Sequence, residues 1–207
     1  MKKTLITLIS ALLISTAVNA ADISYGISAS VTKINASGTE TESTEKTNAS
    51  VSNTVAIGSI FVENNFGSYS LGLDWIPFSA DISSKTKTRT EADITTSGSS
   101  SITNKAQAEI KNHLTLYGIV PFADKYFLKA GAVSVEVNST ESLGTGSKYG
   151  NKTVYGGTVG LGIQNDNLRI AIEYTDYESV SLTSSTNTDN KVSADLDTTA
   201  FKVSYTF

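Results

Sequence analysis

The chain has 207 residues, 16 Lys and Arg against 20 Asp and Glu, and a formal net charge of −4. That length suits one domain, and the mild acidity speaks against a nucleic-acid partner, whose binders carry a basic patch. The absence of cysteine excludes a disulfide framework and a thiolate metal site, and a single histidine suits no transition metal, so no cofactor is expected.

The chain opens MKKTLITLISALLISTAVNA. Two lysines (Lys2, Lys3), an apolar run from Leu5 to about Val18, and small residues before a cut after Ala20 read as a signal peptide over 1–20. The run is short for a bilayer span, which takes about 20 apolar residues. Residues 21–207 are then the exported domain.

Beyond Ala20 the chain is a series of period-2 stretches, the signature of strands with two chemically different faces. The first, ISYGISASV, sets Ile23, Tyr25, Ile27, Ala29 and Val31 against Ser24, Gly26, Ser28 and Ser30. The second, TVAIGSIF, places Val55, Ile57 and Phe61 opposite Thr54, Ala56 and Gly58. After a turn at Asn64-Asn65-Phe66-Gly67, SYSLGLDW opposes Tyr69, Leu71, Leu73 and Trp75 to Ser70, Gly72 and Asp74. The fourth, EIKNHLTLYGIVPF, puts Ile110, Leu114, Leu116, Val120 and Phe122 on one side. Its other side carries Glu109, Lys111, His113, Thr115 and Tyr117. A turn near Ala123-Asp124-Lys125 leads to the fifth, YFLKAGAVSVEV. The sixth, VYGGTVGLGIQ, sets Tyr155, Val159, Leu161 and Ile163 against Gly156, Thr158, Gly160 and Gly162. Asn165-Asp166-Asn167 turns it into the seventh, LRIAIEYTDY, where Leu168, Ile170, Ile172 and Tyr174 oppose Arg169, Ala171, Glu173 and Thr175. The eighth closes the chain as TTAFKVSYTF, with Phe201, Val203, Tyr205 and Phe207 on one face.

Connections alternate in length. Those after strands two, four and six are tight, whereas 33–50, 80–106, 138–152 and 178–197 are long and polar. Aromatic residues are sorted too. Tyr25, Phe61, Tyr69, Phe122 and Phe127 join Tyr205 and Phe207 at the tight-turn end, and Trp75, Tyr155 and Tyr174 lie toward the other. Paired aromatic belts are expected at the two interfaces of a bilayer. A soluble lipocalin-type barrel has the same alternation with its apolar face inside. Here the opposite face carries small residues with few charges, which suits the narrow interior of eight strands rather than a solvated surface. The expected fold is all-β: an eight-stranded antiparallel up-and-down transmembrane β-barrel with short periplasmic turns and long polar extracellular loops. Its expected setting is the lipid of a bacterial outer membrane, as a monomer. In strand five, Val133, Val135 and Val137 on the lipid face would send Lys129 into lipid at a cost of about 2–4 kcal/mol. A bulge at Gly131 that flips the phase is therefore expected.

Inward charges are expected to form a network of Asp74, Arg169 and Glu173, joined by Lys129 once the phase of strand five is flipped, with Glu109, Lys111 and His113 higher and Lys111 facing Glu136. It reads as a polar gate or as a satisfied interior network; buried charges must be paired, and eight strands leave little room for a channel. His113 with Glu109 could belong to a lipid hydrolase, but such a set needs a serine in reach, and His113 points inward. No catalytic residue is expected. The Thr-rich alternation in GTETESTEK and KTKTRTEADITT predicts hairpins continuing above the membrane. They are either solvated surface loops or exposed edges open to strand addition by an outside protein.

With its signal peptide, eight amphipathic segments, loop asymmetry and terminal Phe207, the chain resembles the small eight-stranded outer-membrane proteins of the opacity-protein, OmpX and OmpA-transmembrane-domain group. That resemblance implies that Phe201, Val203, Tyr205 and Phe207 form the signal read by the assembly machinery, with Lys202 standing where a small residue is often found. It implies a role in adhesion, surface defence or envelope integrity through an unidentified external ligand, without catalysis. A narrow channel for small or apolar solutes, or an outer-leaflet lipid enzyme, are the alternatives.

Overall fold

The computed structural model describes residues 23–42, 45–82, 87–92, 101–142 and 147–207; the expected signal peptide, residues 1–20, lies outside them. Every regular element among the described residues is a strand. In chain order these are β1 (Ile23–Glu42), β2 (Glu45–Asn65), β3 (Ser70–Ile76), β4 (Ala80–Asp81), β5 (Lys87–Ala92) and β6 (Ser101–Phe122). Next come β7 (Tyr126–Ser142), β8 (Asn151–Asn165), β9 (Leu168–Tyr177), β10 (Val180–Thr183) and β11 (Lys191–Thr206). The wall runs β1-β2-β3-β6-β7-β8-β9-β11, all antiparallel, and β1 closes on β11 from Gly26↔Thr206 to Thr41↔Lys191. Eight strands thus form an up-and-down barrel. The short β4 and β5 continue the course of β3 along β6, and β10 lies on β11.

Tight turns join the strands at one end. Phe66 N donates to Tyr69 O at 2.8 Å around Gly67, whose φ of 82° is the left-handed region glycine takes freely. Ala123 and Asp124, with φ of 46° and 60°, form a left-handed pair between β6 and β7, the turn geometry that matches strand twist. At the other end the strands run on. The β1–β2 ladder reaches Glu42↔Glu45, and β6 continues beside β7 to Lys105 and beside β5 to Ser101. Taking about 3.3 Å per residue, β6 rises roughly 40 Å from its Leu114 level.

Apolar side chains face outward round the ring: Ile27, Val31, Ile60, Leu128, Leu161, Ile172 and Phe201 are all exposed. A band of this extent on a closed wall is the surface of a protein solvated by lipid. Aromatic pairs collar the tight-turn end, with Tyr25–Phe207 centroids 5.8 Å apart, Tyr205–Phe207 5.3 Å, Phe122–Tyr126 5.8 Å and Phe66–Tyr69 4.9 Å. Trp75 and Tyr174 are exposed toward the other end, and Tyr155 is half-buried.

Three expectations about sidedness are corrected. In β2, Ile60 and Val62 face lipid, while Phe61 points into the barrel and is buried. Phe127 is likewise buried inside, so neither ring belongs to the interfacial belt. β7 has no bulge at Gly131: its ladder with β8 is continuous from Tyr126↔Ile163 to Asn138↔Asn151. Its odd positions face inward throughout, so Lys129, Val133, Val135 and Val137 are all interior. The irregularity lies instead in β6, between Lys111 and Leu114, where Asn112 adopts φ 52°. A bulge inverts parity, so Ile110 is buried inside while Thr115 and Tyr117 are inside on the opposite parity.

Inward glycines make room for inward rings. A Cβ on Gly26 would strike the Phe61 ring, one on Gly72 the Tyr117 ring, and one on Gly162 the Phe127 ring. An alternation of small and large residues is what a narrow barrel needs in order to fill without voids.

Candidate functional site

The interior is layered. Toward the tight turns, Tyr117, Ile119, Phe127 and Ala171 form a small apolar floor. Beyond the charged layer, Ile34, Ile110, Val133, Val135, Val154 and Leu196 build a larger apolar cluster, with Ile82 and Val180 joining from the loop side. Three carboxylates and three cations are paired inside the barrel, two of the pairs across the lumen and Lys129–Glu173 along the wall over Gly160. Lys129 Nζ meets Glu173 Oε1 at 2.7 Å, Lys202 Nζ meets Asp74 Oδ2 at 2.5 Å, and Arg169 is paired with Glu63. Glu63 also accepts from the Tyr117 hydroxyl at 2.7 Å, and Lys129 Nζ lies 4.3 Å from the Tyr117 ring centre. Lys129 is 6 % exposed and Glu63 3 %. Charges this far from water are tolerated because each has its counter-ion.

Asp74, Arg169 and Glu173 therefore stand together inside, and Lys129 joins them. Glu63 and Lys202 complete the six and were not singled out from the sequence as interior charges. Lys202 occupies an inward position whose partner is 128 residues away, so nothing local marks the pair. Glu63 was hidden by the inverted reading of β2; a carboxylate between the lipid-facing Val62 and Asn64 is the signal that would have set that parity.

Glu109, Lys111 and Glu136 are not interior residues. The β6 bulge inverts the parity above His113 and puts Glu109 and Lys111 on the outer face of the strand extensions, and Glu136 is outside because the odd positions of β7 face in; all three are half-exposed. The ladder does set Lys111 opposite Glu136, but the ion pair forms between Lys111 and Glu109 at 2.5 Å. Asn138 Nδ2 donates to Glu109 at 2.8 Å, while Glu136 accepts from Asn112 at 3.2 Å and Asn151 at 3.0 Å. The hydrogen bond from Lys111, and then that from Asn138, hold the Glu109 carboxyl below its ordinary value. Farther up, Ser147, Ser184 and Asn190 are buried where two loops lock together, with Asn190 Nδ2 donating to Ser147 Oγ at 2.9 Å. Nearby, burial and then Glu40 push the Tyr149 hydroxyl up to about 12.

His113 points inward, its Nε2 3.0 Å from the Tyr177 hydroxyl. Its Nδ1 is buried and has no hydrogen-bond partner. Among the described residues no serine bonds the ring. Beside His113 lies a cavity of about 70 Å³. Asp74, Glu173 and Lys202 bound it, with the hydroxyls of Thr32, Thr115, Thr158, Thr175 and Thr198 around it and Ile57, Ile76, Phe78 and Ala80 on one side. A second cavity of about 20 Å³ lies among Glu63, Tyr117, Phe127 and Arg169, room for about one water. Among the described residues, no cluster of His, Asp and Glu is placed to hold a metal ion.

No protein-family model and no curated protein matches the chain in sequence. Solved structures that are similar to it match at low identity. Ail, the attachment invasion locus protein of Yersinia pestis, solved with the heparin analogue sucrose octasulfate, is 13% identical with a TM-score of 0.38, covering 86% of this chain and 98% of its own. The outer membrane protease OmpT from Escherichia coli is 12% identical with a TM-score of 0.46, covering 89% and 96%. Neisserial surface protein A is 11% identical with a TM-score of 0.38, covering 86% and 97%. The assignment of the present fold rests on its own ring of strands.

Proposed function

We propose that the chain is a non-enzymatic surface barrel of a bacterial outer membrane, exported by the segment 1–20, that anchors a β-structured platform for envelope integrity or adhesion. The observation that carries this reading is the filled interior: three buried ion pairs and two apolar clusters occupy the lumen, with cavities of about 70 and 20 Å³ that both border Asp74, Glu173 and Lys202. Barrels need more strands before an aqueous channel opens. Strand extensions locked by buried Ser184 and Asn190 supply an ordered outer surface.

Its partners are membrane lipid, the assembly machinery reading Phe201, Val203, Tyr205 and Phe207, and an external ligand met by the extensions. The protein acts as a monomer and binds no nucleic acid. Planar-bilayer recording tests the reading: steady ion-conducting steps would overturn it, and a silent bilayer is expected. Altered lipid A acylation on expression, abolished by His113→Ala, would overturn the non-enzymatic assignment. A second reading, a narrow route for small or apolar solutes, is favoured only by the larger cavity.

A further inference from the structure

The barrel wall is not equally sealed all round. The ladder between β2 and β3 stops at Ile60↔Trp75. Pro77 lies just beyond, without an N–H to donate, and β4 pairs with β6, not with β2. Just above Ile60, β2 keeps its ladder on the β1 side, and Asn53 Nδ2 reaches across to Asp81 O at 3.0 Å. Continuing the register would set Ile57 and Gly58 beside Pro77 and Phe78. Phe78 is 69 % exposed, yet it lines the same cavity as His113. An open strand edge at the level of Trp75 cannot be left to hydrocarbon; it persists where it borders a cavity.

Two independent features point to an occupant. One is the cavity, reached through this gap. The other is the His113 Nδ1 atom, buried beside the cavity and unpartnered. From these we infer that the gap between β2 and β3–β4 is a side entrance from the membrane to a binding site for a neutral amphiphile, an unbranched apolar body with a hydroxyl head. This inference rests on the membrane-barrel reading.

The chemistry narrows the ligand. The adjoining charges are already paired, Asp74 with Lys202 and Glu173 with Lys129, so the site offers no spare counter-ion to a charged head. The Tyr177 hydroxyl can donate to or accept from Nε2, so Nδ1 of His113 is a donor in one tautomer and an acceptor in the other. A hydroxyl answers both. A volume of about 70 Å³ holds on the order of two waters. It therefore takes the head and the first carbons, while the tail stays in the gap beside Ile57, Ile76 and Phe78.

His113 is the sole histidine, so imidazole-labelled protein gives one pair of ring-nitrogen resonances. The full chain, folded in detergent micelles and checked by heat-modifiable migration on gels, is titrated with n-octanol and separately with n-octane. The expected result is a saturable shift of the Nδ1 resonance with the alcohol and none with the alkane. Narrowing the entrance by Ile57→Phe, or by Ala80→Leu should the first variant misfold, weakens apparent binding by about tenfold or more. A fixed Nδ1 resonance in folded protein overturns the inference, as does an equal response in wild type and the entrance variants. The migration assay reports on the barrel independently, so failure of the site and failure of the fold reading are distinguishable.

Discussion

Two seams of the same wall are held in different ways. Between β1 and β11 the backbone ladder is long, and the inward side chains of β1 are uncharged: Ser24, Gly26, Ser28, Ser30. Between β2 and β3 the ladder ends after Trp75, but each strand carries a buried carboxylate tied across the lumen, Glu63 to Arg169 on β9 and Asp74 to Lys202 on β11. One seam is closed by its own hydrogen bonds. The other is kept in place by struts from the opposite wall, which leaves its edge free for another use.

That contrast can be broken at several points, and hydrogen exchange in micelles should show the largest effect. Of the amides from Ile57 to Ser59, those that point to the open edge are expected to exchange through openings costing near 0 kcal/mol, and those from Ala29 to Val31, which have a ladder on both sides, through openings approaching the global stability. Equal protection would erase the distinction. Next, removing one end of a strut, as in Lys202→Met, leaves Asp74 buried without its cation and should cost about 3–5 kcal/mol. Adding Asp74→Leu should recover most of that loss in urea-unfolding measurements. At the closed seam, Gly26→Val drives a side chain against the Phe61 ring and the Tyr205 carbonyl. Overpacking of this kind should cost about 1–3 kcal/mol by the same assay.

Smaller effects sharpen the picture. Deleting Phe207 removes its N–H bond to Tyr25 O, 2.8 Å long, together with two ring contacts. A loss of about 1 kcal/mol is expected, with reduced insertion in cells; unchanged insertion would defeat the assembly-signal proposal. The smallest effect concerns Glu109. Its folded-state carboxyl is depressed below 4.5 by Lys111 and Asn138. The stabilisation it gives is present above that value and fades as pH falls through the folded-state pKa. Glu109→Gln should flatten a shallow acid-side slope in stability measured against pH.

Strand number, loop asymmetry and the sidedness of β1, β3, β8, β9 and β11 were legible because in those strands one face is apolar and the other small or polar. β2 and the upper half of β7 were misread for one physical reason. The barrel holds an apolar core of its own, so Phe61, Val133 and Val135 face inward although they look fit for lipid. Period-2 alternation specifies that faces differ, not which solvent each meets. The β6 bulge left no mark in composition: Asn112 tolerates a positive φ, but nothing around it announces that it must adopt one. For the site, Asp74, Arg169 and Glu173 were findable as charges on a small-residue face, whereas Lys202 needed the ring to be closed before its partner came within reach.

Ring closure also dictates an order of events. Every other seam of the barrel joins strands that are neighbours along the chain, so each can zip as a local hairpin. The β1–β11 ladder joins the two ends of the domain, and its loop-closure entropy is met only once everything between has been arranged. Until then both terminal strands are open edges, the most adhesive surfaces a β protein presents. A late, slow and catalysable closure step, with Tyr25 and Phe207 meeting at its tight-turn end, is the kinetic signature this topology imposes.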